Sequence, residues 1–192
     1  MVDRGIKMID FNAKAKEIFE QNKAVGWWDD MNRCIYQTLQ LINTEIAEAT
    51  EGARKNLMDD HLTHRKMEEV ELADVLIRTL DLGGRCGWRY MMNDSVIDEA
   101  ADAISESGYT VGRHHLGFTV IVSSLANEID EDSLYDSDDA GWYSMLILSV
   151  CAYAKFKGYD IIGAMEEKLA YNLERQDHKR ENRKGEAGQK AF

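Results

Sequence analysis

Proline is absent from all 192 residues. Nothing in the chain therefore imposes the kinks and extended pre-proline residues that interrupt helices. Cysteine is scarce: Cys34, Cys86 and Cys151 are scattered, odd in number and nowhere in CxxC spacing. That leaves no thiolate zinc site and no disulfide framework, and a reducing, cytoplasmic setting is the expectation. Long apolar runs are missing too. The longest, Trp142 to Ala154, is broken by Ser and Tyr and is too short to span a bilayer, so no membrane partner is expected. The opening MVDRGIKMID lacks the apolar core of a signal peptide. Positive charge is short: 23 Lys and Arg against 35 Asp and Glu leave −12. Such a surface repels a nucleic acid, which is excluded as the main partner. Strand signals are few, since Thr119 to Ser123 is β-prone but falls within a helical pattern.

What is present describes helices. The length fits a single domain over residues 1–180 with a basic tail at 181–192. Counted from Arg175, the C-terminal end holds six Lys/Arg and three Asp/Glu, or +3, so the rest of the chain carries −15. That basic end is either a phosphate-binding arm or a solvated terminus. The spacing predicts helices over Ile6–Asn22, Met31–Lys55, His61–Leu82, Asn93–Ser107, His115–Ile129, Ala140–Lys157 and Ile161–Lys179. On the second, Ile35, Leu39, Ile42, Ile46 and Ala49 form one apolar stripe. On the third the stripe is Met67, Val70, Ala73, Ile77 and Leu80, with a capping Asp59-Asp60 before it and a stop at Gly83-Gly84. Asp160 is the expected N-cap of the last helix. The fold class is all-α, a bundle with two adjacent acidic-faced helices.

The acidic faces carry the chemistry. Glu45 and Glu48 lie three apart on the second helix, and Glu71 and Asp74 lie three apart on the third. That spacing puts each pair on one face, beside its apolar stripe, at the edge of a helix–helix seam. Four crowded carboxylates repel one another unless a cation neutralises them, and oxygen-only ligation suits Mg²⁺ or Mn²⁺. A di-iron bundle would need Glu-x-x-His, which is not what the i+3 positions offer. The alternative is a pair of solvated acidic faces. Glu68 and Glu69 read as surface residues, with Glu68, one turn before Glu71, placed where it could assist the cluster, and His114-His115 read as structural. His61-x-x-His64 has the spacing of a ligand pair but no further ligands beside it.

At these residues the chain resembles the MazG-like nucleotide pyrophosphohydrolases of the all-α NTP pyrophosphatase superfamily. The resemblance rests on EIAEATEG and VELADVLIRTLDL, an ExxE and an ExxD with 22 residues between the pairs. The Gly26-Trp27-Trp28 turn and the segment EEKLAYNLERQDHKRENRKGEAGQKAF are similar as well. In its last helix and tail the chain is most similar to phage members acting on deoxypurine triphosphates; the cytoplasm would then be the host's.

The resemblance implies hydrolysis of a nucleoside triphosphate between the α and β phosphates, giving NMP and pyrophosphate. It implies two or three Mg²⁺ ions on Glu45, Glu48, Glu71 and Asp74, with Glu48 orienting the attacking water. Lys168, Asn172 and Arg175, at i, i+4 and i+7, are candidates for the β and γ phosphates, with Lys55 and Arg54 as further cations. Trp28 or Trp27 would stack on the base. Arg78 and Asp81 extend the acidic face, and Asp81 has the acceptors for a guanine edge, which sets dGTP ahead of dATP. Asp74, Arg78 and Asp81 also fit an ordinary ion-pair row. Family members are dimers or tetramers, so a homodimer or homotetramer is expected, with Trp142 to Phe156 as a partner surface or as core. A housecleaning enzyme for dCTP or modified nucleotides, and a non-catalytic helical assembly protein, are the alternatives.

Overall fold

The computed structural model describes residues 9–31, 33–129 and 141–175. Among them are seven helices and no strand: α1 Phe11–Ala24, α2 Ile35–Lys55, α3 Met67–Cys86, α4 Asp94–Ser107, α5 Val111–Glu128, α6 Gly141–Lys157 and α7 Ile161–Glu174. The all-α expectation holds. No described helix is long and apolar enough to cross a membrane.

Helix ends follow local chemistry. Asp10 Oδ1 accepts from the backbone N–H of Asn12 and Ala13 at 2.9 and 3.0 Å, so it caps α1, which starts at Phe11; residues 6–8 of the expected first helix lie outside the described residues. Asp160 Oδ1 accepts from Gly163 N at 3.1 Å, the cap expected for α7. The third helix begins six residues later than expected. Asp59 does cap, but its Oδ1 accepts from His61 N and Leu62 N, which tightens a turn instead of opening a helix. A single bridge between Met58 and Lys66 then closes that loop. At the other end Gly83-Gly84 does not stop α3, which runs to Cys86 and ends on Gly87 in the left-handed region at φ 73°. The two glycines serve packing. A Cβ on Gly83 would lie 2.5 Å from the Tyr143 ring, and one on Gly84 would lie 2.4 Å from the Ala15 carbonyl oxygen.

That close approach makes α3 the axis of the bundle. It packs on α2, α1, α7 and α6, while α5 covers α2 and α6, and α4 covers α6. Both acidic pairs thus lie on the two helices with the largest mutual contact, α2 and α3. The Trp142–Phe156 segment turns out to be core: Tyr143, Leu146, Ile147, Val150, Cys151, Tyr153 and Ala154 of α6 are fully buried, and only Trp142 and Phe156 at its ends are exposed. The acidic loop at 130–139 and the tail at 181–192 lie outside the described residues.

The start of α3 is also more polar inside than its sequence suggests. Glu68 and Glu69, expected on the surface, are 3% and 7% exposed. Glu68 accepts from the hydroxyls of Tyr153 and Tyr159 at 2.6 and 2.5 Å, with Lys157 Nζ at 3.1 Å and His115 Nε2 at 3.4 Å. Those donors outweigh its burial and hold the carboxyl down at about 2. Glu69 shares Arg65 with Asp160 and Glu167, at 2.7 to 3.1 Å. Arg65 therefore fastens the first turn of α7 to the first turn of α3.

Candidate metal centre

The seam between α2 and α3 opens into a cavity of about 350 Å³, closed on its third side by α7 and at one end by the turn after α1. Glu45 comes from α2, and Glu71 and Asp74 come from successive turns of α3. One carboxylate oxygen of each lies within 4.8 Å of the others. Glu45 and Glu71 are buried, at 6% and 7% exposure. Glu48, one turn along α2, lines the same cavity from a more exposed position and is outside this trio.

Crowding has an electrostatic signature. Burial pushes the Glu71 carboxyl up to about 8, and the neighbouring charges of Asp74, Glu45 and Glu48 push it the same way against Lys168. Asp74 is raised too, by burial and by Glu45, with Lys168 and Arg78 opposing. Two cations stand inside the cluster. Lys168 of α7, 5% exposed, places Nζ 3.0 Å from Asp74 Oδ2. Arg78 donates from Nε to Glu45 Oε1 at 2.7 Å, and its Nη2 is equally close. Asp74 and Arg78 are thus not partners in one simple ion-pair row: each pairs with a different helix.

The donor set fits a hard divalent cation. It consists of carboxylate oxygens only, from two rigid helices, and neither His nor Cys belongs to it. His61 lines the cavity from the loop before α3, but its ring packs on Tyr171 at 4.7 Å. His64 faces Glu167 at 2.8 Å instead. The two do not converge as ligands. His115 is 2% exposed, with Nδ1 2.8 Å from Thr50 Oγ1, a structural contact as expected.

Lys168, Asn172 and Arg175 all line the cavity: the first two share a face of α7, and Arg175 follows directly after the helix ends at Glu174. Asn172 Oδ1 is buried without a hydrogen-bond partner. Lys55 is placed elsewhere: it is exposed, away from the cavity lining, and pairs with Glu51 one turn back, as Arg54 also does. Trp27 and Trp28 both line the cavity. Trp28, however, is 3% exposed. Its ring meets Phe19 on one side and the Arg85 guanidinium at 4.9 Å, so little of its face is left for a base. Its Nε1–H donates to Asp81 Oδ1 at 2.9 Å. Asp81 is pushed up to about 6 by burial, against the hydrogen bonds from Trp28 and Asn22 and the charges of Arg33 and Arg78.

Arg33 is a charged cavity residue that the sequence alone does not mark. The expected helix from Met31 would include it, but α2 starts at Ile35 and leaves Arg33 in the turn before, with its Nη2 buried without a partner. The arrangement can therefore hold a divalent cation on the α2–α3 side and an extended anion between it and Lys168, Asn172, Arg175 and Arg33. Comparison with family models, curated proteins and solved structures yields no match to this chain.

Proposed function

We propose that this chain is a metal-dependent pyrophosphohydrolase of nucleoside triphosphates, MazG-like in kind, releasing NMP and pyrophosphate. The observation that carries the reading is the convergence of Glu45, Glu71 and Asp74 within 4.8 Å in a cavity that Lys168, Asn172 and Arg175 also line. A triphosphate is strongly anionic and approaches such carboxylates only through cations. Two or three Mg²⁺ or Mn²⁺ ions would be held by Glu45, Glu71 and Asp74, with Glu48 at the margin. Such ions supply an acidified water, polarisation of the α-phosphorus and stabilisation of the leaving group.

The remaining steps belong to the chain. Glu48, exposed to the cavity and outside the trio, orients the attacking water by accepting its hydrogen bond. Lys168 and Arg175 hold the β and γ phosphates, and Asn172 donates its amide beside them. The base is directed to the Trp27 end. A deoxypurine triphosphate remains the proposed substrate on the resemblance, with the order of dGTP and dATP left to the nucleotide panel. Asp81, engaged by Trp28, contributes by fixing that wall rather than by reading a base edge. A homodimer or homotetramer in a reducing cytoplasm belongs to the same proposal.

The test is a panel of dNTPs and NTPs with Mg²⁺, with products separated. Pyrophosphate and NMP from one or two nucleotides are expected, lost in Glu71→Gln. Release of NDP and phosphate, or no hydrolysis of any nucleotide with Mg²⁺ or Mn²⁺, would overturn it.

A further inference from the structure

We infer that Lys168 and Arg78 are exchangeable counter-ions of the carboxylate cluster: they neutralise Asp74 and Glu45 until a divalent cation takes their place, and only then turn to the substrate phosphates. The inference deepens the proposed function and rests on it.

The geometry supports the exchange from both sides. Lys168 Nζ lies 3.0 Å from Asp74 Oδ2, with the two side chains 6% and 14% exposed. Arg78 binds Glu45 Oε1 at 2.7 Å through two nitrogens. The same two carboxylates belong to the trio that converges within 4.8 Å. A carboxylate oxygen coordinating a metal at about 2 Å has no room for an ammonium at hydrogen-bond distance on the same lone pair. Repulsion between a divalent ion and a neighbouring monovalent cation adds to the competition. Burial makes the neutralisation necessary without metal, because an unpaired charge in this seam is strongly destabilising.

The two cations have somewhere to go. Both line the cavity, as do Asn172 on α7 and Arg175 just past its end. Swinging a lysine stem by one or two rotamers moves Nζ several ångströms without moving its helix. Arg78, whose side chain is 36% exposed, has the same freedom toward the open side. Phosphate binding by these residues thus becomes conditional on metal. Nucleotide that arrives without its cation meets carboxylates whose counter-ions are already spoken for.

The experiment combines a variant with a probe of the unaltered protein. Mn²⁺ binding is measured by the loss of the free-ion EPR signal for wild type, Lys168→Met and, as a control for general charge, Lys155→Met on the far pair with Asp98. Lys168→Met is expected to bind Mn²⁺ about ten-fold more tightly than wild type and to melt lower in EDTA, with Lys155→Met changing neither. Weaker or unchanged Mn²⁺ binding by Lys168→Met would overturn the exchange while leaving the metal site intact. If wild type itself bound no Mn²⁺ at millimolar concentration, the proposed function would fall, and the exchange with it. The second measurement does not depend on a variant folding. In ¹⁵N NMR of wild type, the Lys168 ammonium is expected to give a slowly exchanging signal in EDTA that is lost or strongly shifted with Mg²⁺. A signal that persists unchanged at saturating Mg²⁺ would sink the inference.

Discussion

Glu68 and Glu71 lie one turn apart on α3, and their surroundings drive them in opposite directions. Glu68 is surrounded by donors and kept ionised, at about 2; Glu71 is buried, then crowded by carboxylates, and pushed up to about 8. The consequences for stability have opposite signs. An acid with a lowered native pKa contributes in full above its unfolded value and loses that contribution as pH falls toward the native value. For Glu68 the window runs from about 4.5 down to about 2, and the whole effect is about 3 kcal/mol. Urea unfolding of wild type and Glu68→Gln at pH 6 and pH 3 is expected to show the gap between them narrowing by about 2 kcal/mol at the lower pH. A constant gap would mean that Glu68 acts through packing alone. For Glu71 the native state is destabilised as pH rises from about 4.5 to about 8. Glu71→Gln removes that burden, so at pH 7 in EDTA it is expected to be more stable than wild type by about 1–3 kcal/mol. The same variant is expected to show no gain in melting temperature with Mg²⁺. A variant that melts lower in EDTA would show that its carboxylate is not under repulsion.

At the scale of elements, the contact between α1 and α3 tolerates no side chain at Gly84. The atom a Cβ would strike is a backbone oxygen, at 2.4 Å, and it cannot swing away. Alanine gains about 1 kcal/mol in helix propensity, yet forced overpacking costs about 1–3 kcal/mol or more. Gly84→Ala is therefore expected to unfold at lower urea concentration, and equal or greater stability would refute the tight contact. This is also where the limits of reading the sequence lie. The stripe on α2 and the pairing of Glu45 with Glu71 and Asp74 were legible because helical periodicity is local. Gly83-Gly84 was not, because a glycine that ends a helix and one that admits a neighbouring helix look alike in sequence. Glu68 and Glu69 were misplaced for a related reason: their partners, Tyr153, Tyr159, Arg65 and Asp160, come mostly from distant segments. Arg33 went unmarked because a helix starting at Met31 gives it a register that the turn before α2 does not keep. Lys168 and Asn172 were legible because one face of α7 presents both, and Arg175 because it directly follows that helix.

The whole molecule gathers negative charge, −12 in total, and concentrates part of it in one seam. Two effects of added salt must then be separated. Screening of dispersed charge depends on ionic strength, whereas occupation of a site depends on the ion. Mg²⁺ at about one hundred times its dissociation constant is expected to stabilise the fold by about 2.7 kcal/mol, or about 5–10 °C for a chain of this size. Sodium chloride of matched ionic strength is expected to give much less, and equal shifts would reduce the cluster to a screened patch. One further consequence follows from the turn that closes the cavity at one end. The Trp28 indole lines the cavity, is almost wholly shielded from solvent, and hydrogen-bonds Asp81 while facing the Arg85 guanidinium. A shielded indole emits further to the blue than a solvated one, and its emission responds to charge moved nearby. The protein thus carries a fluorophore in its own cavity wall, and the difference spectrum between wild type and Trp28→Phe would report the arrival of cation and nucleotide in turn, without a label.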